Sequence, residues 1–212
     1  MSSNRWKFSI AWSSVIFLCA FSLLGYAVSS GGTTELDRSA LLYLRGFSTD
    51  YTASPLFREI LRDITSFGSM TVLFVITLSV AGYLGLTGRS QDIWTLLAVS
   101  IGGLLLISCL KLGFSRARPD LAVDGVRVFT TSFPSEHAAL STMLYLTVAR
   151  LIAAETRAPL ASVYCFSVSL ILIVAVGVSR VCLGIHYPAD ILAGWSIGAA
   201  WAMSWRYVPV AH

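Results

Sequence analysis

Charge is what this sequence has least of. Asp, Glu, Lys and Arg make up 12% of its 212 residues and hydrophobic side chains 56%, with a mean hydropathy of +0.74. Soluble domains carry about a quarter charged residues, so this composition excludes an ordinary water-soluble fold and implies an integral membrane protein. Clustered basic charge is missing too. The net charge is +4 and the pI near 9.0, but the Lys and Arg residues are scattered and form no basic run, which argues against a nucleic-acid partner. Cysteine is scarce and dispersed, at Cys19, Cys109, Cys165 and Cys182. Neither a CxxC redox pair nor a zinc-ligand spacing can be drawn from these positions, and they read as small core hydrophobes. With no internal repeat, low-complexity tract or second domain, residues 1–212 are expected to form a single membrane-embedded domain.

What is abundant is uncharged length. Residues 8–34, 64–88, 93–110 and 158–179 carry no Asp, Glu, Lys or Arg, and each supplies most of a spanning helix of about 20 residues. Arg5 and Lys7 precede the first run as in a signal peptide, but the run is too long for a signal core of about 7–15 residues and is expected to stay as a first span. Two shorter runs, between His137 and Arg150 and between Asp190 and Arg206, reach spanning length if their flanking ionisable groups lie at the membrane edge and the arginines snorkel. The expectation is therefore an all-α bundle of six up-and-down spans. Both termini then share one side with the short loops 87–92 and 155–161, and the long connections 31–63 and 115–136 occupy the other. Gly194 and Gly198 form a GxxxG on the sixth span, expected to pack inside the monomer rather than to make a dimer face.

Alternating spans bring distant residues together. Lys111 ends the third span, Ser135 and His137 start the fourth, Arg180 ends the fifth, and His186 and Asp190 start the sixth. With Arg118 they gather at the face opposite the termini. Three cations, a hydroxyl and helix N-terminal amides suit a multiply charged oxyanion, and phosphate fits best. His186 and Asp190 are four apart, so on a helix the carboxylate can accept a hydrogen bond from one ring nitrogen and leave the other facing the pocket for nucleophilic attack. His137 is then free to act as general acid and base. Asp120 and Asp124 could suggest metal ligands, but three cations make a divalent ion redundant, so no metal and no cofactor are expected.

At these residues the sequence resembles the type 2 phosphatidic acid phosphatase family of membrane phosphatases. The family's Lys followed seven residues later by Arg-Pro stands as "KLGFSRARP", Lys111 to Pro119. Its Pro-Ser-Gly-His appears as "PSEH", Pro134 to His137, and its third motif as "SRVCLGIHYPAD", Ser179 to Asp190. The resemblance implies His186 as a nucleophile forming a phosphohistidine, Asp190 as its orienting partner and His137 as acid/base. It further implies Lys111, Arg118, Ser135 and Arg180 as phosphate ligands. One residue departs from the pattern: Glu136 replaces a glycine. A carboxylate at about 5 Å from phosphate costs roughly 3 kcal/mol at an effective dielectric of about 20. Glu136 is therefore expected to turn outward, to pair with Arg116 or Arg127, and to take no part in proton transfer.

An active face at bilayer depth favours a lipid bearing a phosphate or pyrophosphate, in the phosphatidic acid, phosphatidylglycerophosphate, undecaprenyl pyrophosphate or lipid A class. Within loop 31–63, Leu36, Ala40, Leu44 and Phe47 recur at helical spacing among Glu35, Asp37, Arg38 and Arg45, as in a short helix lying on the membrane or capping the bundle. Lysine and arginine do not favour the terminal side as the positive-inside rule requires. The family resemblance implies termini in the cytoplasm and a site facing outward, in bacteria the periplasm. Hydrolysis of the lipid phosphate is the leading expectation. Transfer of the phosphoryl group to another lipid, and non-enzymatic binding or transport, are the alternatives.

Overall fold

A computed structural model describes residues 2–46, 54–120, 130–156 and 158–205, and every regular element among them is a helix. In chain order these are α1 (Ser2–Ser29), α2 (Thr34–Gly46), α3 (Pro55–Ser66), α4 (Met70–Leu86), α5 (Ser90–Gly113), α6 (Glu136–Thr156), α7 (Pro159–Cys182) and α8 (Pro188–Ser204). Helices are what lipid demands, because only intra-segment hydrogen bonds or a closed barrel satisfy the backbone there. Prolines open α3, α7 and α8 in the first turn, where the missing N–H is no loss.

Four helices, α1, α5, α6 and α7, are long and apolar enough to cross a bilayer, and the pair α3–α4, bent by 45°, adds a fifth. The expected count of six is not reached on length alone, since α4 and α8 have 17 residues each. The 31–63 connection also differs from expectation, because besides α2 it contains most of α3, a second helix the uncharged runs did not delimit. Arg58, Glu59, Arg62 and Asp63 interrupt the apolar run there, yet Ser54-Pro55 is a helix start signal. In α2 the helical spacing holds but the inward face is not the apolar stripe. Asp37 and Leu41 are buried, while Leu36 and Leu44 are exposed and Phe47 lies outside the described residues. Leu41 packs on Ala138, Val181 and Ile191, so α2 caps the bundle.

The bundle's axis is α6, 61% buried against 28% for α5, 22% for α7 and 11% for α1. Its neighbour α8 approaches through Gly194 and Gly198. A Cβ at Gly194 would lie 2.7 Å from the Ser135 carbonyl oxygen, and one at Gly198 would lie 2.7 Å from that of Ala139. The GxxxG is thus an internal seam, as expected, and it presses the start of α8 against the start of α6. At the opposite end, Arg89 ties Asp92 (2.8 Å) and Glu155 (2.9 Å) together and donates to the Leu151 carbonyl (3.2 Å). Those carboxylates hold the α4–α5 turn to the end of α6. The close approach of the two glycines to the α6 backbone generates a stability prediction. Gly198→Val meets backbone and cannot be relieved by a rotamer change, so it should lower the melting temperature in detergent by several degrees, equivalent to about 1–3 kcal/mol or more. Ala202→Val, one turn further on, serves as the control with the smaller expected effect.

Candidate active site

The turn between α7 and α8 carries the central pair. Gly184 adopts φ 69°, a left-handed conformation that glycine takes without strain. Its N–H donates to Val181 O (2.9 Å) and the Ile185 N–H to Arg180 O (3.1 Å), ending α7 just beyond Arg180. His186 follows, 1% exposed, and Asp190, 0% exposed, sits in the first turn of α8. Asp190 accepts from the Tyr187 N–H (2.9 Å), from Ser132 Oγ and from Arg116 Nη1 (2.7 Å), and its Oδ2 lies 3.3 Å from His186 Nδ1. On the other side of the ring, Arg118 Nη1 lies 3.0 Å from Nε2. A guanidinium can only donate, so Nε2 is the acceptor and the ring proton belongs on Nδ1, toward the carboxylate. Burial pushes the His186 imidazolium down to about 4, assisted by the Arg118 and Arg180 cations and opposed by Asp190. The neutral ring therefore keeps a lone pair on Nε2 at neutral pH.

Around this lone pair stand the cations. The Arg118 guanidinium is held by the carbonyls of Thr130 (2.8 Å), Thr131 (3.3 Å) and Ile185 (3.1 Å). Lys111 Nζ donates to Thr130 Oγ1 (3.1 Å) and Thr131 O (3.3 Å). Arg180, 5% exposed, reaches Thr65 Oγ1 at 3.4 Å through Nη1, while its Nε is buried with no hydrogen-bond partner among the described residues. Ser135 Oγ at the start of α6 is likewise buried and unpartnered. Two unused donors beside three cations have the chemistry of an oxyanion seat, because a buried polar group without a partner costs about 1–3 kcal/mol unless a ligand satisfies it.

His137 lies in the first turn of α6 against the α3–α4 bend. A Cβ at Gly68 would come within 3.2 Å of the His137 Cβ and 3.3 Å of its Cδ2, and Tyr145 Oη fixes the bend by donating to Phe67 O (2.6 Å). Glu136 is not where the sequence placed it. Its Oε2 lies 3.6 Å from Lys111 Nζ, so it faces the cation cluster instead of turning away to support the loop. The reason is that Arg116 is already committed to Asp190 and Asp37, whereas Lys111 has only neutral acceptors besides Glu136. Arg127 and Asp124 lie outside the described residues, and Asp120 is exposed.

The model of the PAP2 superfamily matches residues 92–211, more than half of the chain. The chain belongs to the PAP2 superfamily. It is 29% identical over 147 residues to phosphatidylglycerophosphatase B of Bacillus subtilis, covering 68% of this chain and 71% of that protein. It is also 29% identical over 141 residues to a decaprenylphosphoryl-5-phosphoribose phosphatase of Mycobacterium tuberculosis, covering 65% and 72%. Among solved structures, a transmembrane PAP2-type phosphatidylglycerolphosphate phosphatase from Bacillus subtilis shares the fold with a TM-score of 0.83 over 92% of this chain and 94% of that one, at 24% identity. The Aquifex aeolicus LpxE structure superposes with a TM-score of 0.55 at 20% identity, covering 72% and 86%.

This PAP2 site contains residues that motif reading passed over. Arg116 Nη1 and Nη2 bridge Asp190 and Asp37, and its Cζ lies 4.4 Å above the Tyr187 ring. Burial opposes the Arg116 charge, but Asp190 and Asp37 more than offset it and hold the guanidinium above its ordinary range. Asp37 also accepts from the Ala189 N–H at the start of α8 (2.9 Å). A signal for Arg116 existed: in an extended segment residues two apart share a side, which aligns it with Arg118. Ser132 and Gly68 carried none. The two arginines should respond differently to removal of their charge. Arg116→Met strands two buried carboxylates and should lose roughly 3–5 kcal/mol. Arg118→Met frees only neutral acceptors, three carbonyls, the Thr130 hydroxyl and one ring nitrogen, and should lose clearly less, as thermal or denaturant unfolding in detergent would measure.

Proposed function

We propose that this chain hydrolyses the phosphate of a membrane lipid through a phosphohistidine on His186. The observation that carries the reading is His186 clamped between Asp190 at Nδ1 (3.3 Å) and Arg118 at Nε2 (3.0 Å), with the unused donors of Ser135 and Arg180 nearby in the fold. Lys111, Arg118, Ser135 and Arg180 hold the phosphate oxygens. Nε2 forms a bond to phosphorus as the bond from phosphorus to the lipid oxygen breaks, and His137 gives that oxygen its proton. The imidazole becomes cationic as phosphorus is transferred, and the Asp190 carboxylate stabilises that charge. His137 then takes a proton from water, the water oxygen attacks phosphorus, and the nitrogen–phosphorus bond breaks to release inorganic phosphate and neutral His186. Three side-chain cations neutralise the charge that a pair of metal ions would otherwise stabilise, so the reaction proceeds without metal.

Two observations support a lipid substrate. The relatives named above are phosphatases of phosphatidylglycerophosphate and of a decaprenyl-linked sugar phosphate by their names. An apolar groove of about 190 Å³, lined by Met70, Phe74, Leu78, Leu104, Leu140 and Leu144, begins one helical turn below His137 and suits a hydrocarbon tail. The chain is a single multi-pass domain of six spans, with termini in the cytoplasm and the site on the outer face, the arrangement the family resemblance implies.

Rapid quench with a phosphate-labelled lipid should trap acid-labile, base-stable phosphate on the wild type and none on His186→Ala. His186→Ala turnover above a few percent of wild type would sink the mechanism. EDTA should leave activity within about twofold and vanadate should abolish it; loss in EDTA that magnesium restored would remove the metal-free step. For topology, single cysteines replacing Asp120 and Gln91, in a chain with its native cysteines replaced, should label from opposite sides of intact cells or spheroplasts, Asp120→Cys from outside. Labelling of both from one side would overturn the six-span arrangement.

A further inference from the structure

Glu136 is the residue at which the chain leaves the family's second motif, and its carboxylate points at the phosphate seat. Among the described residues it is the one carboxylate within ion-pair distance of Lys111, Arg118 or Arg180, at 3.6 Å from Lys111 Nζ with its side chain 30% exposed. Its charge acts on Arg118 and Arg180 as well. Asp190 lies behind His186, engaged by Arg116, Ser132 and the Tyr187 N–H; its charge also reaches Arg118, but from the far side of the ring. The cage thus presents three cations and one carboxylate to whatever enters. Adjacent in sequence is His137, the residue assigned to the leaving oxygen, and both stand in the first turn of α6.

We propose that Glu136 makes the cage selective for lipid phosphomonoesters over lipid pyrophosphates. The inference rests on the phosphatase reading and deepens it. Paired with Lys111, the carboxylate lowers the positive charge that faces the ligand, which suits a phosphomonoester, at most a dianion at neutral pH, better than a more highly charged pyrophosphate ester. A pyrophosphate ester presents its second phosphate group on the leaving-group side, toward His137 and Glu136, and carries additional negative charge. A unit charge at about 7 Å from the carboxylate, at an effective dielectric of about 20 and discounted for the carboxylate's partial exposure, corresponds to a discrimination of about tenfold. Arg116 cannot relieve it, being held by two carboxylates already.

The test compares farnesyl phosphate with farnesyl pyrophosphate, which share one hydrocarbon tail, so the tail's contribution cancels. Phosphate release by the full chain in detergent gives kcat/KM for each ester. In Glu136→Gln the monophosphate-to-pyrophosphate ratio should fall about tenfold from its wild-type value, and Glu136→Gly should behave alike, which guards against a folding defect in one variant. Glu136→Asp, which keeps the charge, should stay near the wild-type ratio. A ratio unchanged within twofold in active Glu136→Gln and Glu136→Gly would overturn the proposal. So would loss of turnover on both esters in variants that retain the wild-type melting temperature, because Glu136 would then serve the chemistry itself. Wild-type protein that released phosphate from neither ester and formed no phosphoenzyme would instead overturn the phosphatase reading.

Discussion

Arg116 joins two buried carboxylates that belong to different parts of the chain. Asp37 comes from the short helix α2 between the first two apolar runs, and Asp190 from the first turn of α8. Neither carboxylate could be buried alone, since an isolated charge in a low-dielectric site loses several kcal/mol of hydration. The guanidinium's planar fork, laid over Tyr187, satisfies both at once. Asp37 in turn accepts from the N-terminal amide of Ala189, so the cap helix, the α5–α6 connection and the start of α8 are tied to one cation. The geometry of His186 follows from that bond, because the carboxylate that fixes its ring cannot rotate while Arg116 and Ser132 hold it.

How much of this was legible in sequence depended on the range of the interaction. Span ends are short-range information: the charges at Lys111, Arg180 and Asp190 stop the apolar runs, and alternation then dictates that they meet. Four apart on a helix, His186 and Asp190 were equally readable. Pairings across long separations were not. The partner of Glu136 was decided by which cation remained after Arg116 had been claimed from α2 and α8, a competition that spacing does not encode. The inward face of α2 was misleading for the same reason: its apolar stripe through Leu36 and Leu44 is regular, yet an ion pair and Leu41 turned the helix the other way. Helix α3 was missed because charge interrupted the run, although its Ser-Pro start was visible.

The two ends of the bundle handle charge differently. Opposite the site, each nitrogen of the Arg89 guanidinium donates to an acceptor, Asp92, Glu155 or the Leu151 carbonyl, and one cation stands beside two carboxylates. At the site end, donors are in surplus. Ser135 Oγ and Arg180 Nε are buried and unpartnered among the described residues, and of Lys111, Arg118 and Arg180 only Lys111 has a carboxylate within ion-pair distance among them. A fold selected only for stability would match charges as the first end does. Surplus positive charge and unused donors are the chemistry that the proposed phosphate seat requires.

Arg116 and Arg118, two residues apart, divide the work by the strength of what holds them. Arg118 Nη1 rests 3.0 Å from His186 Nε2, on the side from which phosphorus would approach in the proposed attack. Its remaining contacts are to neutral acceptors, the Thr130, Thr131 and Ile185 carbonyls and Thr130 Oγ1, each worth about 1 kcal/mol net. An incoming dianion offers charge-assisted bonds about twice as strong. In the proposed reaction Arg118 would therefore exchange the ring nitrogen for phosphate oxygens at a net gain. Arg116 gains nothing by moving, since its partners are already carboxylates. In the proposed reaction Asp190, held by Arg116 and Ser132, would keep the ring in place while Arg118, bound to neutral acceptors, turned to the phosphate.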